Sequence, residues 1–257
     1  MSAEIEFAAP QDVRNAADCF FYHVMDLPGT GVVGEQWDLR KTIDAYLGHF
    51  EFRGRRALDV GTASGYLTFE MEKRGAEVVS FDLADGADWN VVPFHIDGFE
   101  ASQSAQRKKE NIARLHASYW FAHRVLGSRA KAFYGDVYRI PQELGPFDVV
   151  VLGAILLHLR DPFLALQSAG RLSRDAIVVT DMHFASTEPV MRFVPDRAVP
   201  GSADTWWLIS EPCMVKMLEV LGFEVESVTR QRHLVIHQER RELLFSTYVG
   251  RRRAQPK

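Results

Sequence analysis

Apolar residues along this chain fall into short continuous runs and helical spacings, separated by polar stretches carrying glycine. Ala57, Leu58 and Val60 read as a strand, and Gly61 to Gly65 as a turn. Leu67 and Met71 recur at helical spacing within Tyr66 to Arg74. Gly75 closes that helix, and Val78, Val79 and Phe81 form the next strand, ending at Asp82. Further strands are predicted at Lys131 to Tyr134, Phe147 to Gly153 and Ala176 to Thr180. The run FDVVVLG is apolar almost throughout, which suits a central parallel strand buried on both faces. Helices are predicted from Pro10 to about Met25, over Leu39 to His49 behind a capping Asp38, across 99–127, after Asp161 and Pro162, and over Glu211 to Leu221. Two last strands, Phe223 to Thr229 and Glu242 to Val249, form a closing pair. Three stretches have no clear period and read as loops: LPGTGVVGEQWDLR, residues 84–95, and residues 184–210.

The stretch from Arg56 to Leu83 carries the most specific chemistry. A strand, glycine turn and helix aim the helix N-terminus at the crevice above the strand ends. Small residues at Gly61, Ala63 and Gly65 allow close approach to the backbone. Asp82 follows Gly61 by about 20 residues, where an acid can accept hydrogen bonds from both hydroxyls of a ribose. An adenosine-containing cofactor is therefore expected. A dinucleotide fingerprint would need glycine at 61, 63 and 66, but Ala63 and Tyr66 stand at the last two positions. The spacing is instead D-x-G-x-x-x-G from Asp59 through Gly61 to Gly65, with Thr62 and Ser64 inside the turn.

That spacing resembles motif I of the class I S-adenosylmethionine-dependent methyltransferases, with Ala63 in place of the usual middle glycine. The segments FFYHVMDLPGTGVVGEQWDLR and TWWLISEPCMVKMLEVLGF resemble the tRNA wobble-uridine (methoxyuridine-forming) methyltransferases. The resemblance spans roughly residues 18–250. It implies a three-layer, Rossmann-like α/β fold: a seven-stranded mixed sheet with an antiparallel last strand, preceded by an N-terminal helical extension over residues 1–50. The methyltransferase domain would then occupy 51–257, with a helical insert around 84–128 and an acceptor loop around 184–210. It implies S-adenosylmethionine as cofactor, leaving as S-adenosylhomocysteine. Cofactor contacts are implied at Asp59, Gly61, Thr62, Ser64, Gly65, Asp82, Leu83, Asp136, Val137 and Gly153, and at Tyr22 in the N-terminal extension. Asp136 either accepts from the adenine amine or caps a turn. Tyr22, His23, Trp37 and Arg40 are lid candidates, or else core aromatics and a surface charge.

A base is needed only if the acceptor must lose a proton. His183, at the end of the fifth strand, and His158, in the segment AILLHLRDPFLAL, are the candidates. His158 also has a structural reading. Asp181 and His183 lack the further ligands that a metal would require, so no metal is expected.

Composition narrows the acceptor. The 257 residues carry a net charge of −4, which offers no general attraction to nucleic acid. The favoured expectation is therefore an oxygen or nitrogen nucleophile on a small molecule, such as a secondary metabolite. The alternative is a wobble-uridine tRNA acceptor, and a third reading is a cofactor-binding scaffold without activity. Wobble-uridine enzymes that use a carboxylated cofactor carry tyrosine just before the histidine of the post-strand segment. Leu157 stands there, although Arg241 in the last hairpin offers a cation. No apolar run reaches the roughly 20 residues of a membrane span. The acidic N-terminus lacks a signal core, so a cytoplasmic location is expected. The two cysteines, Cys19 and Cys213, read as reduced core thiols.

Overall fold

In the computed structural model the described residues are 5–84, 90–95, 101–199, 203–237 and 239–253, with 101–108 described by backbone alone. A small hairpin opens the chain, β1 Met25–Leu27 against β2 Gly31–Val33, followed by β3 Trp37–Asp38 and the short helix α1 Ile43–Tyr46. Next come β4 Arg56–Val60, α2 Tyr66–Lys73, β5 Glu77–Leu83, the 26-residue α3 Ala101–Leu126, and β6 Lys131–Gly135. The chain continues through β7 Phe147–Gly153, α4 Pro162–Gly170, β8 Ser173–Met182 and a second small hairpin, β9 Met191–Phe193 with β10 Trp207–Ile209. It closes with α5 Glu211–Val220, β11 Phe223–Val235 and β12 Arg241–Arg252.

One eight-stranded sheet runs in the order β3-β11-β12-β8-β7-β4-β5-β6. Strands β4 to β8 pair in parallel, whereas β12 is antiparallel to both of its neighbours, β8 and β11. The seven-stranded mixed sheet is thus as expected, with the two-residue β3 added at its edge. Alternation along β7 divides the interior. Val149 and Val151 enter one core with Leu67 and Met71 of α2 and Tyr119 and Trp120 of α3. Val150 and Leu152 enter the other with Ala165 and Leu166 of α4 and Met214 and Leu218 of α5. Helices therefore cover both faces, as a parallel sheet requires. No described helix is long and apolar enough to cross a membrane.

The N-terminal segment departs from expectation. Instead of a helix from Pro10 to Met25 there is one 3-10 turn, Ala16–Asp18, capped by the Asn15 side chain. Its backbone groups bond to distant parts of the fold: Ala8 N donates to Ala132 O, and Phe20 N to Ser118 Oγ and Arg114 O. A short helix costs more to nucleate than one i,i+4 apolar pair returns, so these tertiary partners decide the conformation. The helix expected over 39–49 shrinks to α1, because Asp38 does not cap it. Its carboxylate accepts from the backbone and guanidinium of Arg40. Gly48 and His49, both at positive φ, then end the helical course. Two of the three predicted loops take part in hairpins, 25–33 and 191–193 with 207–209, the third, 84–95, lies partly outside the described residues, and β11 and β12 run longer than predicted.

Candidate active site

The turn after β4 shapes the site. Gly61 (φ 81°), Ala63 (φ 50°) and Gly65 (φ 89°) all take left-handed backbone. A Cβ on Gly61 would stand 2.7 Å from Ile155 Cδ1, and one on Gly65 2.5 Å from Phe69 Cε2. Ala63 bears a left-handed conformation that costs an L-residue roughly 1–2 kcal/mol. That conformation turns its N–H onto Asp82 Oδ2 at 2.6 Å, while Leu83 N donates to Asp82 Oδ1 at 2.7 Å. Each carboxylate oxygen thus holds one backbone donor and keeps acceptor capacity. Burial lifts the Asp82 carboxyl above the usual range, against the lowering pull of His116 and these two N–H groups.

Above the strand ends lies a cavity of about 810 Å³. Of the residues predicted from the sequence, it is lined by Gly61, Ala63, Asp82, Leu83, Asp136, Val137, Gly153 and His158, and by Tyr22, His23 and Trp37 of the lid candidates. Asp136 also caps a 3-10 turn, its Oδ1 accepting from Tyr138 N, so its two readings hold together. Gly153 is packed so closely that an added Cβ would meet Leu67 Cδ1 at 2.5 Å and Tyr46 Cε1 at 3.2 Å.

The other predicted positions serve the turn from behind and are absent from the lining. Asp59 is fully buried and accepts from Thr68 Oγ1 at 2.7 Å, and the same hydroxyl bonds Thr62 and Ser80. Burial pushes the Asp59 carboxyl up to about 6. Ser64 Oγ points toward the N-terminal segment and accepts from Tyr22 N and His23 N. Gly65 is filled over by Phe69 and Tyr119. His183 also lies off the lining: its Nδ1 is 2.9 Å from Ser246 Oγ and its N–H donates to Leu244 O. Met182, the residue before it, takes the cavity-facing place. Arg241 is exposed at the start of β12 and away from the lining, and Arg40 is paired outside with Asp26 and Asp38.

Several lining residues had no prediction. Tyr46 and Tyr138 are cavity phenols, and Asn90, Asp204 and Thr205 come from loops. Tyr138 lies two residues beyond Asp136, and that proximity was the available signal. The loops 90–92, 157–160 and 203–207 close one wall through two backbone bonds, Val92 N to Ala203 O and Trp206 N to Leu157 O, and one from a side chain, Trp206 Nε1 to Asn90 O at 2.6 Å. His158 Nδ1 sits 2.7 Å from Asp204 O. A carbonyl only accepts, so Nδ1 carries the proton and Nε2 is the basic nitrogen of the neutral ring. The opposite wall is aromatic, with Tyr22 accepting from Trp37 Nε1 at 3.1 Å and Phe245 set edge-on to Trp37. Among the described lining residues there are acids, Asp82, Asp136 and Asp204, but no lysine or arginine. A cation fits this enclosure better than an anion.

The family model of a methyltransferase domain matches residues 35–228. The chain belongs to that family. The fold of this methyltransferase is that of the class I S-adenosylmethionine-dependent enzymes. Among solved structures it is similar to 1,6-didemethyltoxoflavin-N1-methyltransferase of Burkholderia thailandensis, which holds 1,6-didemethyltoxoflavin and S-adenosylhomocysteine. The TM-score is 0.53 at 17% identity, over 84% of this chain and 78% of that one. It is also similar to magnesium protoporphyrin IX methyltransferase of Synechocystis with bound S-adenosylhomocysteine, with a TM-score of 0.51 at 14% identity over 83% of each chain. In sequence it is 29% identical over 200 residues to a tRNA U34 carboxymethyltransferase of Idiomarina loihiensis, covering 74% of this methyltransferase and 52% of the relative. The chain spans about half the length of the curated relatives it matches.

Proposed function

We propose that this methyltransferase moves a methyl group from S-adenosylmethionine to an oxygen or nitrogen on a planar ring, and that its acceptor is the wobble uridine of a tRNA. The observation that carries the cofactor reading is Asp82, held by two backbone N–H groups at the mouth of a left-handed turn, on the cavity lining and with acceptor capacity left on both oxygens. In this reading Asp82 accepts from the ribose hydroxyls, Asp136 and Val137 border the adenine, and Gly61 to Ala63 pass beneath the sugar. S-adenosylmethionine, when bound, supplies an electrophilic methyl on a sulfonium. The chain mainly positions and encloses. Gly153, Tyr46, Tyr22 and Trp37 wall the reacting end, where alignment alone accounts for effective molarities of about 10⁵ to 10⁸ M. His158 Nε2 takes the proton of the acceptor where one must leave.

The acceptor class rests on the curated relatives, which are named for tRNA U34. An aromatic-walled cavity suits a base turned out of its stack. The relatives are named for a carboxymethyl group, but methyl is the reading here. Leu157 precedes His158, and no lysine or arginine stands among the described lining residues to pair a carboxylate. A second reading, a heteroaromatic small molecule as acceptor, is favoured by the net charge of −4.

The test offers labelled S-adenosylmethionine with bulk tRNA and with a panel of hydroxylated heteroaromatics. Label at the wobble base, with retention on tRNA that weakens as salt rises, is the expected result. Label only in the small molecules would replace the first reading with the second. Absence of S-adenosylhomocysteine in every arm would refute both.

A further inference from the structure

Tyr46 brings to the cavity a polar atom that the chain itself leaves unused. The residue is 4% exposed and lines the cavity. Its hydrogen bonds are made by its backbone: N donates to Thr42 O, and O accepts from the Thr180 and Thr247 hydroxyls. Its own hydroxyl has no partner among the described residues, yet it is not shut off from solvent as His233 Nε2 and Asp181 Oδ2 are. The surface it keeps therefore opens on the cavity. The ring is held in place: it meets the edge of His233 at 5.0 Å and lies 6.3 Å from Phe245. Its hydroxyl oxygen stands 3.4 Å from where a Cβ on Gly153 would be, an approach that the missing side chain allows.

The strand order sorts what this hydroxyl can reach. Across the cavity floor the sheet runs β6, β5, β4, β7, β8, β12. With neighbouring strands about 4.8 Å apart, Asp82 on β5 is roughly 14 Å across the sheet from Met182 on β8, and roughly 19 Å from Phe245 on β12. A cofactor with its sugar on Asp82 and its adenine toward Asp136 runs inward to β4 and β7. Tyr46 lies past Gly153, with Met182 and Phe245, over the strands left for the acceptor. His158 lines the same cavity from the turn after β7. The two side chains offer different chemistry. His158 presents a basic nitrogen. Burial holds the Tyr46 phenol well above its usual range, and the Tyr22 phenol and the Asp181 and Asp59 carboxyls add to the lift, so it keeps its proton and donates.

We propose that the Tyr46 hydroxyl positions the acceptor by donating a hydrogen bond to a carbonyl oxygen on its ring. This rests on the function proposed above and deepens it: the acceptor is a ring that offers a proton to His158 and a lone pair to Tyr46. A pyrimidine carbonyl supplies that lone pair, whereas a hydrocarbon edge would leave the hydroxyl unpaired.

Tyr46→Phe removes the oxygen and keeps the ring. With labelled S-adenosylmethionine and bulk tRNA, the variant should lose about 5- to 50-fold in kcat/KM for tRNA. Calorimetry should find its affinity for S-adenosylhomocysteine within about threefold of the wild type, which also shows that it is folded. The acid limb of the kcat/KM profile should not move, because Tyr46 carries its proton throughout. Unchanged kcat/KM would overturn the proposal. So would an equal weakening of S-adenosylhomocysteine, which would place the hydroxyl on the cofactor, or a shifted acid limb, which would make it a proton carrier. Where label enters a hydroxylated heteroaromatic and not tRNA, the same three measurements on that molecule decide. A wild type that labels no acceptor would refute the function proposed above, and this assignment with it.

Discussion

Asp181 ends β8 in a place unsuited to a charge. Its residue is 4% exposed, Oδ1 accepts only from Met182 N at 2.8 Å, and Oδ2 has no partner among the described residues. Burial lifts the carboxyl from 3.8 to about 7. The nearby phenols of Tyr46 and Tyr248 are pushed above their usual value by burial and stay neutral across the same range. A carboxyl raised in the folded state binds a proton more tightly there than in the unfolded chain. Its contribution to stability is therefore full below about pH 4 and is lost as pH rises through about 7. At about 1.4 kcal/mol per unit, the whole span amounts to about 4 kcal/mol, of which roughly 2.5 falls between about pH 5 and pH 8. Asp181→Asn removes the titration while its carbonyl can keep the Met182 bond. Urea unfolding of both proteins at the two pH values isolates this group, because every other titration is common to both. The wild type should lose roughly 2–3 kcal/mol more than the variant on going from about pH 5 to pH 8. Parallel loss in the two proteins would refute a proton on Asp181, and with it the view that the end of β8 is sealed from water.

Two further substitutions probe the turn. Asp82→Asn leaves one of the two N–H donors, Ala63 or Leu83, facing an amide nitrogen, and it removes charge from the hydroxyl-binding position. S-adenosylhomocysteine should bind about 10- to 100-fold more weakly in calorimetry, and unchanged affinity would displace the sugar from Asp82. Gly61→Ala adds a methyl 2.7 Å from Ile155 Cδ1 on backbone at φ 81°. It should cost at least about 1–2 kcal/mol in denaturant unfolding. A variant as stable as the wild type would mean that the turn relaxes freely.

The parts of the fold that were readable from sequence are those whose causes are local. The β4–α2–β5 crossover announced itself through a strand run, positive-φ glycines and a helix spacing within 28 residues, and β7 through a run buried on both faces. Asp82 was readable because an acid at that spacing has few other uses. What stayed hidden depends on distant partners. Residues 10–25 form no α-helix because Ser64, Arg114 and Ser118 take up the backbone N–H groups of Phe20 and Tyr22. The choice between His158 and His183 turns on register: β12 places Ser246 beside Asp181 and holds His183 against that strand, off the cavity. Thr62 and Ser64 sit inside the motif, but their side chains brace it from below and behind. Tyr46 escaped notice because helical spacing marks which face is buried, and a phenol on that face reads as core until its hydroxyl is seen beside Gly153.

The roof over the cavity has a consequence for biosynthesis. Trp37 and Asp38 leave the ribosome well before two of the partners that hold them: Trp37 packs on Phe245 and Asp38 pairs with Leu234 in β11. Contacts between such distant residues form only after the intervening chain has been brought together. Trp37 and Asp38 therefore reach their final contacts, and the ligand chamber closes, only once the β11–β12 hairpin has been made.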